Sequence, residues 1–328
     1  MRRREFIKSI GGAVIARPLA ARAQQAPKLP VVGLLSSRAP GDVPQLVAAV
    51  RRGLQDTGFV EGHNVVIEYR FAGNHNEQLP ALAADLVQRQ VTVIAATTTP
   101  AALAAKAATT TIPIVFEIGG DPVQFGVVAK LNRPGGNATG ISQTNVEITP
   151  KRLQLLHELL PTADLIALLV NPGIPTVAET QSTETQAAAR TLGVTLHVLT
   201  ASTERDFDAV FANLTQLRAS GLVIAGDAFF TTRQEQLAAL AVGHAMPAVY
   251  ENREFAAAGG LMSYGSIISD AYYLTGVYAG RILKGEKPGE LPVQQSTKVE
   301  MFLNLKTANA LGITVPLPLL GRADEVIE

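Results

Sequence analysis

Residues 91–105 read Val91-Thr-Val-Ile-Ala-Ala-Thr-Thr-Thr-Pro-Ala-Ala-Leu-Ala-Ala105. The stretch begins as a short apolar run rich in β-branched residues, which is typical of a strand buried on both faces of a parallel sheet. It passes through three threonines and a proline into an alanine-rich run with good helix propensity. The sequence therefore predicts a buried strand that leads directly into a helix, with polar side chains at the junction.

The junction residues Thr97, Thr98 and Thr99 have two possible roles. One hydroxyl is expected to cap the helix, with Pro100 at the first helical position. The free N–H groups of a helix N-terminus also favour a carboxylate or phosphate, and ligands of open parallel sheets bind beyond the carboxyl ends of the strands. Capping is the more common role for any single residue here, so a binding role depends on the whole set of strand ends.

The same alternation of strand and helix recurs along the chain. Apolar runs bounded by polar turns predict strands at 30–35, 64–70, 91–96, 112–116, 138–142, 165–170, 194–199, 221–225 and 246–250. Stretches with apolar residues at helical spacing lie between most of them. Two consecutive series of about five strands each predict an α/β fold with two doubly wound lobes built on parallel sheets.

The division of the chain between the lobes follows from this alternation. Lobe I is expected to contain residues 28–142, and lobe II residues 143–253. The segments after residue 253 can complete either lobe by their pattern. We assign residues of about 254–296 to lobe I and residues of about 297–328 to lobe II.

The first residues are a separate segment. Arg2-Arg-Arg-Glu-Phe-Ile-Lys8 is basic, residues 9–16 are short and mildly apolar, and Ala21-Arg-Ala23 is a small-x-small site. These zones in this order predict a signal peptide over residues 1–23, and the paired arginines resemble the twin-arginine export pattern. The protein is therefore expected in the periplasm, with the twin-arginine and general export pathways both open.

Composition excludes several classes of function. The 328 residues include no cysteine, which rules out a disulfide, a thiolate metal site and a cysteine nucleophile. The five histidines are scattered without metal-ligand spacing, so no metal or other cofactor is expected. Without the basic residues 1–23, the chain carries a formal net charge of about −5, which argues against nucleic-acid binding. Phosphate-loop, dinucleotide-binding and nucleophile-elbow motifs are also absent, so no catalytic residues are assigned.

Candidate ligand contacts collect at the predicted strand ends of both lobes. Lobe I contributes hydroxyls and one acid, and lobe II contributes an amide, two acids and aromatic rings. The candidate ligand-binding residues are Ser36, Ser37, Thr97, Thr98, Thr99, Asp121, Asn171, Asp227, Phe229, Tyr250, Glu251 and Tyr264. Hydroxyls and helix N-termini suit a carboxylate, whereas acids and aromatic rings suit an ammonium and an apolar side chain. This combination predicts an amino-acid ligand better than a sugar or a metal.

Most of these residues also have an ordinary structural explanation. Asp121 can cap a helix before Pro122, and Phe229 can simply belong to the core. The binding hypothesis therefore rests on the set rather than on any single member. Only 5% of the residues are aromatic, yet aromatic residues end or follow three of the late strands, which favours a role for them in the cleft.

Several longer motifs resemble a known family. They are Gly58-Phe-Val-Glu-Gly-His-Asn64, Thr99-Pro-Ala-Ala102, Leu131-Asn-Arg-Pro-Gly-Gly-Asn137, Ser202-Thr-Glu-Arg-Asp-Phe207, Gly259-Gly-Leu-Met-Ser-Tyr-Gly265 and Lys306-Thr-Ala-Asn-Ala-Leu-Gly312. Together they resemble the tryptophan-binding type of ABC-importer substrate-binding proteins over essentially all of the chain after the signal peptide. The resemblance implies a type I periplasmic binding protein fold, in which two lobes joined by three crossovers close on a small molecule. It also implies an aromatic or apolar amino-acid ligand, an inner-membrane ABC permease as partner, and a monomer.

Two other functions remain open. A ligand-sensing subunit of a membrane receptor would use the same binding chemistry, and an exported enzyme could use the same scaffold. The sequence offers no nucleophile–base pair, which favours binding over catalysis. Titrating ligands while monitoring turnover distinguishes an enzyme from a receptor.

Overall fold

The structure of the protein is a computed structural model that describes residues 29–328. The predicted signal peptide, residues 1–23, lies outside the described residues. Among the described residues, no helix combines the length and the apolar character needed to cross a bilayer. Strands and helices are numbered in chain order, and three short 3₁₀ helices cover Pro40–Asp42, Asn76–Gln78 and Pro288–Glu290.

Lobe I is built on a six-stranded sheet in which all neighbouring strands are parallel. Its strands are β1 Val31–Ser36, β2 Val66–Phe71, β3 Val93–Ala96, β4 Ile114–Ile118, β5 Ala138–Gln143 and β11 Gln294–Ser296. Its helices are α1 Pro44–Asp56, α2 Leu79–Gln88, α3 Thr99–Ala108 and α10 Ile268–Leu283. Every residue of β3, β4 and β5 is buried, as expected for parallel strands covered by helices on both faces.

Lobe II is built on a seven-stranded sheet. Its strands are β6 Leu165–Val170, β7 Thr195–Thr200, β8 Gly221–Ile224, β9 Ala248–Tyr250, β10 Met262–Ser266, β12 Val299–Asn304 and β13 Glu325–Ile327. Its helices are α4 Thr149–Leu159, α5 Pro175–Leu192, α6 Arg205–Leu217, α7 Ala228–Thr232, α8 Gln234–Gly243, α9 Arg253–Ala257, α11 Leu305–Ala310 and α12 Leu317–Leu320. The sheet is parallel apart from the antiparallel pair β10–β12.

The two sheets repeat one strand order. Lobe I runs β5-β4-β3-β1-β2, and lobe II runs β10-β9-β8-β6-β7 in the same sense. Strand β4 therefore corresponds to β9, and β3 corresponds to β8. Because the strands within each series are parallel, the loops that follow equivalent strands meet at equivalent places on the two lobes.

Helix α10 packs very closely on α1 in lobe I. A Cβ atom at Gly53 would lie 2.0 Å from the backbone oxygen of Tyr273, and one at Gly276 would lie 2.1 Å from the backbone oxygen of Val50. Only glycine permits this approach at either position. The contact fixes α10 against the sheet and brings its residue Tyr272 to the carboxyl ends of β1 and β3.

The chain crosses between the lobes three times. The first crossing follows β5, the second joins β10 to α10, and the third joins β11 to β12. The second crossing corrects one boundary: residues 254–266 belong to lobe II, not to lobe I, because β10 pairs with β9 and β12. This crossing occurs at the apolar pair Ile267–Ile268, which carries none of the glycine or proline signals that mark a boundary in a sequence.

Candidate ligand-binding cleft

Two adjacent cavities lie between the lobes at the carboxyl ends of the strands. The inner cavity has a volume of about 60 Å³, and the outer cavity has a volume of about 590 Å³. Both are lined by Pro100, Asp227 and Ala228, so they are neighbouring parts of one cleft. The charged and hydroxyl side chains on the inner cavity are those of Arg38, Thr98, Thr99, Glu117, Asp227 and Glu251.

The threonine hydroxyls on the lobe I side have the capping role that the sequence predicts. The side-chain oxygen of Thr98 caps α3 by accepting from the N–H of Ala101 at 3.4 Å, and it also accepts from the N–H of Ser37 at 3.3 Å. The side-chain oxygen of Thr99 accepts from the N–H of Gly119 at 3.3 Å. Because these contacts use the oxygens as acceptors, both O–H groups can still donate to a ligand.

Arg38 places a buried positive charge on the same wall. The residue is only 3% exposed, and its Nη1 donates to the hydroxyl of Tyr272 at 2.8 Å. That hydroxyl in turn donates to the backbone oxygen of Thr97 at 2.6 Å. Within the described part of the chain, Nε of Arg38 has no hydrogen-bond partner. A buried guanidinium beside a cavity favours an anionic group in that cavity.

Three carboxyl groups share the cavity with Arg38, and they differ in how fully they are bonded. Oδ1 of Asp227 accepts from Nδ2 of Asn171 at 3.0 Å and from the N–H groups that begin α7. Oε1 of Glu251 accepts from the hydroxyl of Thr231. The Glu117 carboxyl receives no hydrogen bond from any side chain or backbone group of residues 29–328, although the residue is only 5% exposed.

Burial raises the pKa of all three carboxyl groups because a low-dielectric site disfavours their charged forms. For Glu117, desolvation raises the pKa to about 8, although the charge of Arg38 opposes the shift. For Glu251, desolvation also raises the pKa, whereas the charge of Arg152 and the Thr231 hydroxyl lower it. For Asp227, desolvation raises the pKa against the hydrogen bond from Asn171. The site therefore favours a cationic ligand group, whose charge would stabilise the ionised forms of these acids.

The apolar lining of the inner cavity is aliphatic. It consists of Pro100, Val146, Ile174, Val177, Ala228 and Ile268. Phe229 lines the outer cavity, where its ring also stacks on Phe207 at 5.6 Å between centroids. The described cleft can thus enclose an apolar group, with branched side chains close to the charged end and a phenyl ring farther out.

Tyr250 and Tyr264, two of the candidate ligand contacts from the sequence, lie outside both cavities. Tyr250 is fully buried and stacks on Phe255 at 4.6 Å between ring centroids, and neither cavity includes it. Tyr264 packs against the core of lobe II, and neither cavity includes it. Both residues follow or belong to buried strands, where an aromatic ring that fills the core has the same sequence pattern as one that faces a ligand.

Three further candidate ligand contacts form hydrogen bonds within lobe I. Oγ of Ser36 accepts from the N–H of Arg38 at 3.3 Å, and the hydroxyl of Thr97 donates to a β1 carbonyl at 3.4 Å. Asp121 accepts from the N–H of Val123 at 2.8 Å in a tight turn. None of the three lines either cavity. Two others, Ser37 and Asn171, line the outer cavity.

A fully buried arginine, Arg152, bonds to the backbone near two of the crossings between the lobes. Arg152 on α4 donates from Nε to the backbone oxygen of Tyr264 at 2.7 Å and from Nη1 to that of Asn145 at 2.9 Å. Oδ1 of Asn145 accepts from the N–H of Ser266 at 3.0 Å. Arg152 and Asn145 therefore link the first crossing to the second one. Burial lowers the pKa of Arg152 to about 10, so the side chain remains charged at neutral pH.

Two contacts join the lobes outside the inner cavity. Nη1 of Arg233 lies 3.5 Å from Oδ2 of Asp42, and Nε2 of Gln124 donates to the hydroxyl of Thr180 at 3.1 Å. Arg233 and Asp42 belong to different lobes, as do Gln124 and Thr180. These contacts hold the two lobes together beside the small inner cavity.

Comparison with known proteins decides the family. The model of the family described as "ABC transporter substrate binding protein" matches residues 42–327. The chain belongs to this family. Its two-lobed α/β architecture is that of the type I periplasmic binding proteins.

Individual relatives of this substrate-binding protein agree with that assignment. A tyrosine-binding protein of Clostridioides difficile is 26% identical over 261 residues, which are 79% of this chain and 74% of the relative. The crystal structure of a conserved domain protein from Vibrio cholerae is 26% identical, covers 91% of this chain and 100% of that chain, and has a TM-score of 0.84. A Streptococcus pneumoniae ABC domain in complex with L-Trp is 23% identical, covers 92% of this chain and 100% of that chain, and has a TM-score of 0.82.

Sequence reasoning missed two charged residues of this substrate-binding protein's cleft. Arg38 follows the serines that end β1, and Glu117 lies one residue before the end of β4. Each is a charged residue within or next to an apolar strand, and this is the signal that could have identified them, because charged residues are rarely buried without a partner. Among residues 29–328, no group of three or more His, Asp or Glu side chains is placed to hold a metal ion.

Proposed function

We propose that the protein is an exported receptor of an ABC importer that binds one amino acid with an apolar or aromatic side chain in the cleft between the lobes. The observation that carries this proposal is the inner cavity, where hydroxyl donors and a buried guanidinium lie close to buried carboxyl groups. An α-amino acid has an anionic and a cationic group one carbon apart, and it satisfies both kinds of partner at once.

The proposed orientation follows from the charges. The ligand carboxylate lies against the hydroxyls of Thr98 and Thr99 and the guanidinium of Arg38, and the ammonium lies against the carboxyl groups. The side chain extends along the aliphatic lining toward Phe229 and the outer cavity. Tyr250 and Tyr264 have no part in this orientation because they pack in lobe II.

The relatives support the chemical class of the ligand. One is named as a tyrosine-binding protein, and another was solved in complex with L-Trp. The inner cavity of about 60 Å³ has room only for the charged end of an aromatic amino acid, and the side chain occupies the outer cavity of about 590 Å³. Separation of the lobes would admit the charged end. Binding then shifts the population toward the closed arrangement, because only closure brings both walls to the ligand.

The proposed cellular role combines the family with the N-terminal sequence. The basic, apolar and small-x-small zones of residues 1–23 support export, and the family supports delivery of the ligand to an inner-membrane ABC permease. The receptor acts as a monomer without a cofactor. Mass spectrometry of the periplasmic protein tests export, since a mature chain that begins at Gln24 is expected and an intact Met1 would contradict cleavage.

Calorimetry with a panel of amino acids, sugars and nucleosides tests the ligand class. Amino acids with apolar side chains should bind, sugars and nucleosides should not, and the bound ligand should be recovered unchanged after incubation. Thr98→Val removes one O–H donor to the carboxylate and should weaken binding about tenfold or more. Thr191→Val, on the exposed face of α5, is the matched control and should have no effect. Binding of a sugar or nucleoside without any amino acid would refute the proposal.

A further inference from the structure

We propose that Glu117 is the residue that recognises the ligand's ammonium group, and that it releases a proton as the ligand binds. This inference rests on the proposed function. It goes further by assigning the recognition of the cation to a single side chain and by adding a proton to the binding reaction.

The other two acids of the cavity already have hydrogen-bond partners. Oδ1 of Asp227 is occupied by an amide side chain and by the N–H groups that begin α7. Glu251 is bonded to Thr231, and its charge is compensated by the nearby guanidinium of Arg152. One oxygen of Asp227 and one of Glu251 are thus occupied, whereas no hydrogen bond within residues 29–328 occupies either oxygen of Glu117. Of the three acids, Glu117 therefore has the most acceptor sites open to a ligand.

Glu117 is also well positioned to meet a ligand that is bound by lobe I. It lies near the carboxyl end of β4, between the strands β3 and β5, and lines the inner cavity together with Thr98 and Thr99. The hydroxyls that suit the ligand carboxylate are therefore on the same lobe as the carboxyl group that suits the ammonium. Lobe I alone can bind both ends of an amino acid before lobe II closes over it.

Charged and titratable groups from several elements surround Glu117. Arg38 from the end of β1 is the positive neighbour, Glu251 and Asp227 from lobe II are the negative ones, and Tyr272 contributes a neutral hydroxyl from α10. In this buried setting the pKa of Glu117 is raised to about 8, so the side chain is mostly neutral at pH 7 before a ligand arrives.

Ligand binding ionises Glu117. The neutral carboxylic acid of Glu117 loses its proton to solvent, and the resulting carboxylate accepts a hydrogen bond from the ligand's R–NH₃⁺ group. The ammonium keeps its own three protons. An adjacent positive charge stabilises the carboxylate, which is the physical reason that the proton leaves on binding.

Calorimetry in buffers of different ionisation enthalpy measures this proton directly. The probe is the amino acid that binds most tightly in the panel above, compared with the same molecule lacking its amino group; for L-tyrosine this is 3-(4-hydroxyphenyl)propanoate. The amino acid should release close to one proton per ligand at pH 7, and less as the pH rises above 8. The analogue without an ammonium should release none.

Variants assign the proton to its residue. Glu117→Gln should abolish the release and should weaken amino-acid binding at pH 8 about 30-fold or more. Glu251→Gln can also weaken binding, because Glu251 lines the inner cavity, but it should retain the release of the proton from Glu117. The exposed Glu286→Gln, on the loop after α10, is the control for a lost surface carboxylate and should behave as wild type. Thermal melting of each variant verifies that it folds.

The outcomes separate this inference from the proposed function. If no amino acid binds to the wild-type protein, the proposed function fails and the inference fails with it. If an amino acid binds without proton release at pH 7, or binds Glu117→Gln as tightly as wild type, only the role of Glu117 is refuted. If Glu117→Gln does not fold, the wild-type protein and the analogue without an amino group still decide the question.

Discussion

Glu117 and Glu251 lie near the ends of equivalent strands, one in each lobe. Both are buried with a guanidinium nearby, but they differ in their hydrogen bonds. The repeated strand order gives β4 and β9 equivalent positions in their two sheets, and both acids line the inner cavity. Glu251 has a hydroxyl partner and a guanidinium nearby, whereas Glu117 has no hydrogen bond from residues 29–328. Topology therefore places a residue, but its neighbours decide whether it supports the fold or remains available to a ligand.

The largest expected effect is on stability as a function of pH in the ligand-free protein. The pKa of Glu117 is about 8 in the folded state and about 4.5 in the unfolded state, so folding favours its protonated form. Its contribution to stability is full below pH 4.5 and is lost as the pH rises toward 8. Glu117→Gln should therefore be more stable than wild type at pH 8 by at most about 5 kcal/mol, at about 1.4 kcal/mol for each pKa unit.

Urea denaturation of both proteins at pH 5 and pH 8 measures this difference. Glu251→Gln is the matched comparison, and its pH dependence should stay closer to that of wild type because Arg152 and Thr231 oppose the effect of burial. Parallel pH profiles for wild type and Glu117→Gln would mean that the two acids are equivalent after all.

The next effect concerns the arginine that distinguishes the two acids. Arg152→Met removes the buried cation near Glu251 and the link between two crossings, and it should lower the free energy of unfolding by about 3–5 kcal/mol. Arg190→Met, on the exposed face of α5, is the control and should change it by less than about 0.5 kcal/mol.

A double mutant then tests the pairing itself. Adding Glu251→Gln to Arg152→Met should restore part of the lost stability, because it removes the carboxylate left without its counter-charge. Adding Glu117→Gln at low pH, where Glu117 is neutral, should restore nothing. Equal restoration by both substitutions would show that Arg152 does not discriminate between the two acids.

The smallest effect concerns two buried tyrosines, one from each lobe. The hydroxyl of Tyr250 has no partner among the described residues, so Tyr250→Phe should change stability by less than about 1 kcal/mol and should leave ligand affinity unchanged. Tyr272→Phe removes a hydroxyl bonded to Arg38 and Thr97, and it should lower both stability and affinity. A tenfold loss of affinity in Tyr250→Phe would instead show that the Tyr250 hydroxyl contributes to ligand binding.

Much of the fold could be predicted from the sequence, because burial of a parallel strand and capping of the following helix are local properties. Residues 91–105 contain β3 and most of α3, with Thr98 as the helix cap. The assignment of residues 254–266 failed because strand pairing is not local: an apolar strand carries no mark of which sheet it joins. The antiparallel pair β10–β12 was not anticipated for the same reason.

The site was less predictable than the fold. In β4 all five residues are buried, so the alternation that normally separates two faces of a strand gives no direction for Glu117. Asp121, four residues later, stands in a polar turn and was the more visible acid, yet it bonds to its own turn. Tyr250 was a visible candidate that belongs to the core. An aromatic residue at the end of a strand is compatible with a core position and with a cleft position, and only its packing on Phe255 distinguishes the two.

The contacts between the lobes also bear on how long a bound ligand remains. A ligand held between the lobes should leave more readily once Asp42 separates from Arg233 and Gln124 from Thr180, because these contacts bridge the two lobes. The side chains of the ion pair are each 23% exposed, so dissolved salt can screen their attraction. Residence time should therefore shorten as ionic strength rises. If the proposed function is correct, the rate of delivery to the permease would then depend on the salt concentration around the receptor as well as on the ligand.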